Sequence, residues 1–251
     1  MSPLFRRRDR GDSSADGSAN GSANGAANGA AGEPAGDPAT APGAAGPPAG
    51  PYDADDEVPE ARRLDLGALR IPVVDGMQVQ LEVDRASGAA RSATVVSGPS
   101  RVRVSAFAAP RSAGVWDDVR SEISAEVTKV GGTVTETEGP FGTEIVTTIP
   151  TKLPDGRQAL QVQRFAGVDG PRWFLRAVFS GPEVVAAAGL AVPDGAADPQ
   201  RLRALEAVVR DSVVSRGGQA RPPREPLPLQ LPAGAVQSAA GTAEPPSDAA
   251  G

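Results

Sequence analysis

Apolar and polar residues alternate along three neighbouring stretches of the chain, and this period of two is typical of half-buried β-strands. The stretches cover residues 78–83, 93–97 and 101–106. A turn is predicted over Asp84–Gly88, where Asp, Ser and Gly lie close together. Strands joined by short turns form hairpins, so the pattern predicts an antiparallel sheet.

The period changes to that of a helix near the middle of the chain. An apolar residue recurs at every fourth position from Val115 to Val127, which places an apolar stripe along one side of an α-helix. Ser112 is the predicted N-cap, and Gly131-Gly132 is the predicted end. Three acids share the side opposite the stripe: Asp118, Glu122 and Glu126. We expect this side to be a solvated surface, so no metal ligand is predicted.

The second half of the chain returns to strands and then forms one more helix. Four strands are predicted, over residues 133–138, 143–149, 157–165 and 173–180. The predicted turns between them cover residues 139–142, 154–156 and 168–170. Asp198 as N-cap and Pro199 in the first turn predict a helix to about Arg210, and residues 212–215 predict a short final strand. The fold class is α+β: an antiparallel sheet of about six to eight strands with two main helices packed on it, flanked by disordered tails.

The composition divides the chain into four parts. Residues 1–61 are rich in Gly, Ala, Pro and Asn and follow a basic start, so they are predicted to be a disordered acidic arm. Residues 62–218 are predicted to form a single domain, which is long enough to bury a core. Residues 219–232 are a Pro/Leu-rich extension, and residues 233–251 are predicted to be a disordered tail.

The extension has two interpretations. Leu227, Leu229 and Leu231 alternate with other residues in a segment spaced by prolines, a pattern that favours an extended conformation. Such a segment either lies along the surface of its own domain or serves as a ligand for another protein. We expect it to dock on its own domain.

Cysteine and histidine are both absent from the sequence. The chain therefore has no disulfide, no thiolate nucleophile and no imidazole base. The formal net charge of −6 lies entirely in residues 1–60, which hold four arginines and ten acids. The remainder is neutral on average, so no net field attracts it to nucleic acid or acidic lipid. Composition thus argues against most enzyme classes, and no catalytic residue and no cofactor is predicted.

The basic cluster Arg6–Arg10 is similar to the start of an export signal. A signal peptide needs a following apolar stretch of about 7–15 residues, but residues 11–28 are Gly, Ser, Asn, Asp and Ala. No apolar run approaches the roughly 20 residues of a transmembrane helix. We therefore expect a cytoplasmic protein.

The segment from Arg172 to Arg176 is the most distinctive candidate for a binding surface. In a strand, Trp173 and Leu175 point to one face, the predicted core, while Phe174 and Arg176 point to the other. One interpretation is a sheet covered by helices on both faces. The other is an arginine–aromatic platform that stacks bases or anchors a partner protein. The candidate binding residues are Arg172, Phe174, Arg176, Arg164 and Phe141.

Several sequence motifs, taken together, carry a resemblance. They are the Phe5–Arg8 start, Glu138–Glu144 (EGPFGTE), Val168–Arg176 (VDGPRWFLR) and Pro222–Leu229. The chain resembles an uncharacterised actinobacterial domain-of-unknown-function family over about residues 62–232. The resemblance implies no activity and no site residue. At the level of fold, the order of elements is also similar to that of Mog1/PsbP-like domains, which implies a binding module.

Three functional hypotheses follow from the sequence. The first is a non-enzymatic cytosolic interaction module with a protein partner whose identity stays open. The alternative is a nucleic-acid-associated protein that binds single strands through the arginine–aromatic face. The third is an Mg²⁺-dependent enzyme of nucleotide metabolism that uses Asp and Glu. The sequence leaves the oligomeric state open.

Overall fold

The computed structural model describes residues 50–83, 89–111 and 114–231. The fold is α+β, as predicted, with eleven strands and three helices in the described ranges. In chain order the elements are β1 (Tyr52–Asp53), β2 (Arg63–Asp65), β3 (Leu69–Pro72), β4 (Gln78–Val83), β5 (Ala90–Ser97), β6 (Ser100–Ala108), α1 (Val115–Lys129), β7 (Thr133–Gly139), β8 (Gly142–Lys152), β9 (Gln158–Gly170), β10 (Trp173–Ser180), α2 (Pro182–Ala187), α3 (Pro199–Arg210) and β11 (Val213–Val214).

Two sheets organise these elements. The main sheet has seven strands in the order β4-β5-β6-β10-β9-β8-β7, and every neighbouring pair is antiparallel. This agrees with the predicted size and direction of the sheet. A smaller sheet of four short strands, in the order β1-β11-β3-β2, was not predicted, and its β1–β11 pair is parallel.

We call the face of the main sheet that carries the main core the inner face. Side chains alternate between faces along a strand, and Trp173, Leu175 and Phe179 of β10 all point inward. They join one cluster with residues of α2, α3 and the small sheet, among them Val184, Leu205 and Ile71. The inner face is therefore covered over β10 and the strands beside it.

Helix α1 covers only one half of the opposite, outer face. Its residues Val115 and Trp116 pack on Phe174 of β10 and Ile145 of β8. Its main contacts are with β7, β8 and β9. The uncovered half, over β4, β5 and β6, is therefore free to form a site.

Asp169 of β9 holds the start of α1. The residue before the helix is Gly114, whose φ is 105°, and it offers no side-chain cap. The Asp169 carboxylate accepts hydrogen bonds from the backbone N–H groups of Gly114 and Trp116, at 3.1 and 3.3 Å. A carboxylate at this position accepts hydrogen bonds from N–H groups that would otherwise be unsatisfied, and its negative charge interacts favourably with the helix dipole. The predicted cap, Ser112, lies outside the described residues.

The fold begins earlier than residue 62, where the sequence analysis placed its boundary. Tyr52 and Asp53 pair with Val213 and Val214, and the buried Asp53 carboxylate accepts a hydrogen bond from the Trp173 indole N–H. Residues 50–61 thus belong to the domain and not to the arm. The signal was too short to read, because only two residues form the strand. The predictions for residues 1–49 and 232–251, and for the Asp84–Gly88 turn, lie outside the described residues.

The turn predicted over residues 168–170 is wrong. Strand β9 continues to Gly170, and the chain reverses at Pro171 and Arg172. Arg172 has a φ of 64°. This left-handed conformation occurs in tight turns, and few residues with a side chain adopt it. Asp169 and Gly170 have the composition of a turn, but the capping of α1 and strand pairing place them in β9.

The two predicted helices are confirmed, and a third short helix accompanies them. Helix α3 begins at Pro199 after the Asp198 cap, whose carboxylate accepts from the Gln200 N–H at 2.9 Å. Helix α2, which the sequence analysis missed, has six residues and begins after Gly181. None of the helices in the described ranges has the length and apolar character needed to cross a bilayer.

Residues 224–230, which we call the strap, lie in a fork of the main sheet. Strands β5 and β6 pair from Ser97 and Ser100 up to Ala93 and Val104, and beyond that point they separate. The strap fills the gap between them. Its backbone bonds to β6 join Arg224 N–H to Ala108, Ala108 N–H to Glu225 and Leu227 N–H to Ala106, at 2.7, 2.8 and 2.9 Å.

The sequence of the strap explains its position. The Leu229 N–H donates to Ala90 of β5 at 2.8 Å, and Leu227 and Leu229 are buried in the main core. Pro226 and Pro228 have no N–H that needs a partner, and their fixed φ favours an extended backbone. The Pro-Leu-Pro-Leu pattern therefore favours an extended segment whose two leucines lie in the core.

A buried ion pair on the inner face gives one prediction about pH. Glu144 is completely buried, and burial raises its pKa above the usual 4.5, although Arg164 opposes the rise. A carboxyl with a raised folded-state pKa stabilises the fold most below its unfolded pKa, and that contribution is lost as the pH rises. We expect Glu144→Gln to remove this part of the pH dependence.

Urea unfolding of the wild type and of Glu144→Gln from pH 4 to pH 8 (roughly the range over which a raised carboxyl titrates) checks this expectation. The free energy of unfolding of the variant should increase relative to that of the wild type as the pH rises above 4.5. Glu60→Gln, at an exposed position, is the control. A constant difference between Glu144→Gln and the wild type across the range contradicts the prediction.

Candidate binding site: an arginine-lined cleft

The structure does not bring the five predicted binding residues together. Arg172 is exposed in the turn between β9 and β10. Phe174 is 2% exposed, so it is not part of an open platform. Arg164 and Phe141 belong to the inner face, on the other side of the sheet from Phe174. Of the five, Arg176 is the residue that lines the cleft on the outer face.

Phe174 is buried because α1 lies over it. Its ring stacks between those of Trp116 and Phe107, with centroid distances of 6.2 and 5.9 Å. Gly167 on β9 makes this possible, because a Cβ there would collide with the Trp116 and Phe174 rings. The first interpretation of this segment, a sheet covered by helices, therefore applies at Phe174.

Arg164 and Phe141 have structural roles around Phe179. The Arg164 guanidinium lies 4.3 Å from the centroid of the Phe179 ring, and Phe141 stacks on that ring at 6.4 Å. Arg164 forms ion pairs with Glu144 at 3.3 Å and Glu206 at 2.6 Å. Its charge is thus used within the core, since a buried cation requires such partners.

The acids of α1 are surface groups with basic neighbours. Glu122 forms a two-point ion pair with Arg224 of the strap, at 2.7 and 2.8 Å. Glu126 pairs with Lys129, and Asp117 with Arg120. In the described ranges no group of three or more Asp and Glu residues is arranged to hold a metal ion.

The cleft lies on the uncovered half of the outer face, beside the strap. Its volume is about 330 Å³. Strands β4, β5, β6 and β10 and the strap supply its walls. The lining residues are Glu82, Val83, Arg91, Ser92, Arg103, Ser105, Phe107, Arg176 and Pro226.

The sheet register brings the polar groups of the cleft together. Arg103, Ser105 and Phe107 are alternate residues of β6 and so point to the same face. Arg176 of β10 lies directly opposite Ser105. Arg103 lies opposite the residue two positions after Arg176 in β10. Ser92 reaches the same face from β5, and it is buried, as is Ser105. Two hydroxyl groups therefore accompany the arginines.

Arg176 is the most unusual charge in this part of the molecule. It is partly buried, and its guanidinium lies 5.2 Å from the centroid of the Phe107 ring. Among the described residues it has no carboxylate partner, and its buried Nε has no hydrogen-bond acceptor. Burial, and then the like charge of Arg103, lower the pKa of Arg176, although an arginine stays protonated at neutral pH.

Glu82 offsets only part of the positive charge of the cleft. Its carboxylate is 3.7 Å from the Arg103 guanidinium, and it also accepts a hydrogen bond from Ser92 at 2.7 Å. The Glu82 side chain is 63% exposed, and an ion pair of this kind contributes little. The cleft therefore keeps a positive charge at its floor, where a planar guanidinium fork is suited to an oxyanion.

The fold and the cleft define a class of α+β domain in which the main sheet is covered on one face and half open on the other. Residues 50–238 match the model of the family described as "Protein of unknown function (DUF3710)". This match covers more than half of the chain, so the protein belongs to that family. The predicted membership of a domain-of-unknown-function family is thus confirmed. No curated protein and no solved structure matches the chain.

Sequence reasoning missed most of the cleft. Ser105 and Phe107 share the alternation of Arg103, so their common face was readable from residues 101–107. Pro226 was not, because it reaches Phe107 only through the fork between β5 and β6. The local pattern identifies a face, whereas the fork results from contacts distant in sequence.

Proposed function

We propose that the protein is a non-enzymatic protein-interaction module. In this proposal a partner protein binds over the open half of the outer face, and Arg176 binds an anionic side chain of that partner. One observation carries the proposal: a partly buried guanidinium with no carboxylate partner among the described residues faces an open cleft. A buried charge is stable when an opposite charge compensates it, and a bound anionic group supplies that compensation.

The surroundings of Arg176 support binding rather than catalysis. The chain has no thiol and no imidazole, which are the usual nucleophile and neutral-pH base of enzymes. Arginine together with aromatic groups is typical of the residues that dominate binding energy at protein interfaces. We further propose a cytoplasmic location.

Nucleic-acid binding is the weaker candidate. Binding of single strands relies on exposed aromatic rings on which bases stack, and Phe174 lies under α1. The proposal therefore concerns a protein partner.

Site-specific photo-crosslinking tests the proposed surface. The full chain carries p-benzoylphenylalanine at Gln80, an exposed outer-face position on β4 beside the cleft. We expect defined protein adducts in cells of the native host, and we expect their yield to fall about tenfold when Arg176→Leu removes the charge, as the loss of a charged hydrogen-bonded contact predicts.

The same cross-linker at Gln158, exposed at the far end of the β8–β9 hairpin, is the control position. Adducts that form equally at both positions, or that do not respond to Arg176→Leu, would exclude this face as the interaction surface. Thermal unfolding of Arg176→Leu shows separately that the variant is folded.

A further inference from the structure

We infer that the group bound in the cleft is a phosphate monoester, carried by a phosphorylated side chain of the partner. This inference rests on the proposed function and names the chemistry of the same site. The arrangement of donors and the positive charge of the cleft carry it, and each distinguishes a phosphate from a carboxylate.

The hydrogen-bond donors of the cleft come from two neighbouring strands. Arg176 belongs to β10, and Arg103 and Ser105 belong to β6, whereas the Ser92 hydroxyl of β5 already donates to Glu82. A carboxylate has two oxygens in a single plane, and one guanidinium fork satisfies it. A phosphate monoester presents three terminal oxygens in a tetrahedral arrangement, so it fits a set of donors on both strands.

The charges of the cleft also favour a dianion. The like charge of Arg103 disfavours the charged form of Arg176. Glu82 is too exposed to compensate both. A phosphate monoester carries a charge of about −1.5 to −2 at pH 7, whereas a carboxylate carries one. The phosphate therefore brings the larger opposite charge to the two guanidinium groups.

The walls of the cleft fit a phosphorylated side chain on an extended segment. Phe107 and Pro226 form an apolar wall beside the guanidinium of Arg176. The volume of about 330 Å³ exceeds what a phosphate alone needs, so the side chain that carries it enters as well. Apolar contact with that side chain gives the peptide an advantage over free phosphate.

Fluorescence polarisation with labelled short peptides tests the inference. Three peptides have the same sequence except for a central phosphoserine, glutamate or serine, and a labelled single-stranded oligonucleotide is the fourth probe. We expect the phosphoserine peptide to bind the full chain at least about tenfold more tightly than the glutamate peptide, a difference of one decade in Kd. Inorganic phosphate should compete, but only at a higher concentration than an unlabelled phosphopeptide.

The pH profile gives a second readout. The second pKa of a phosphate monoester is about 6, whereas a glutamate titrates at about 4.3. Affinity for the phosphoserine peptide should therefore fall between pH 7 and pH 5 (about one unit either side of that phosphate pKa), while affinity for the glutamate peptide stays constant.

Variants assign the binding to the cleft. Arg176→Leu and Arg103→Leu should each weaken binding of the phosphoserine peptide at least about tenfold, and Arg176→Lys should weaken it less because it keeps the charge. Arg157→Leu, which removes an exposed arginine of the β8–β9 hairpin, should bind as the wild type does.

Each other outcome is informative. Equal binding of the glutamate and phosphoserine peptides overturns the phosphate but leaves the interaction module in place. Binding of the oligonucleotide alone, lost in Arg176→Leu, overturns the inference in favour of a phosphodiester. If inorganic phosphate binds as tightly as the phosphopeptide, the ligand is a small phosphate and not a protein. If no probe binds while the Gln80 cross-links persist, only the phosphate inference fails.

Discussion

Replacing Leu227 by alanine is expected to lower the free energy of unfolding by about 2–5 kcal/mol, the usual loss for a leucine removed from a packed core. Leu227 is 1% exposed and packs within the main core, although it belongs to a segment after the last regular strand. Its backbone bonds to β6 in the fork, and its side chain lies in the main core. The substitution leaves a cavity that the sheet closes poorly, because backbone hydrogen bonds hold both sides.

Urea unfolding of the wild type and of Leu227→Ala measures the loss. Leu231→Ala is the matched control, because it is the same substitution four positions later in the chain. The Leu231 side chain is 40% exposed. We expect the midpoint of Leu231→Ala to stay close to that of the wild type. If the free energy of unfolding falls by the same small amount in both variants, Leu227 does not stabilise the domain. That result would contradict the position of the strap between β5 and β6.

Glu183→Gln is expected to destabilise the domain by about 3 kcal/mol, the lower end of the range for a broken buried ion pair. Glu183 is buried on α2 and accepts hydrogen bonds from Ser100 of β6, from the Asp198 N–H and from Arg201 of α3. One carboxylate thus ties two helices to the main sheet. An amide cannot pair with the Arg201 charge, and Arg201 is largely screened from solvent.

The pH dependence gives this prediction a second readout. Burial raises the pKa of Glu183, but the hydrogen bonds from Ser100, the backbone and Arg201 outweigh it, so the pKa lies below 4.5. A lowered folded-state pKa means that the stabilisation is present above the unfolded pKa and is lost as the pH falls through the folded one. The gap between wild type and Glu183→Gln should therefore narrow below pH 4.5.

An exposed carboxylate supplies the control for Glu183. Asp155 pairs with Arg157 in the β8–β9 turn, and Asp155→Asn should leave the free energy of unfolding at neutral pH unchanged within error. Glu183→Gln behaving like Asp155→Asn would show that the α2–α3 connection does not depend on this charge.

The elements that the sequence predicted well are those whose signal is local. The spacing from Val115 to Val127 defines α1, and the Asp198 cap followed by Pro199 defines α3. The alternation along 101–106 gives β6 and its faces. In each case a single segment contains enough periods to distinguish a helix from a strand.

The elements that escaped prediction depend on partners far along the chain. Strand β1 has two residues and pairs with β11, the predicted final strand, across almost the whole domain. Two residues contain no period. Helix α2 has six residues, which is too short for an apolar stripe, and contacts of the buried Glu183 hold it in place.

The candidate site shows the same division. Alternation assigned Phe174 and Arg176 to one face correctly, but only the packing of α1 decides that Phe174 is covered and Arg176 is open. Arg164, a predicted binding residue, lies instead on the inner face. Glu144 and Glu206, from β8 and α3, allow it to be buried.

The position of the strap has a consequence for folding during synthesis on the ribosome. Five strands and three helices separate β6 from the strap in the chain. The end of β6 that bonds to the strap therefore leaves the ribosome long before the strap does. Until then Ala106 and Ala108 offer unpaired backbone groups, a template for association with other chains. This edge of β6 therefore stays uncovered until the strap has been synthesised and has bonded to it.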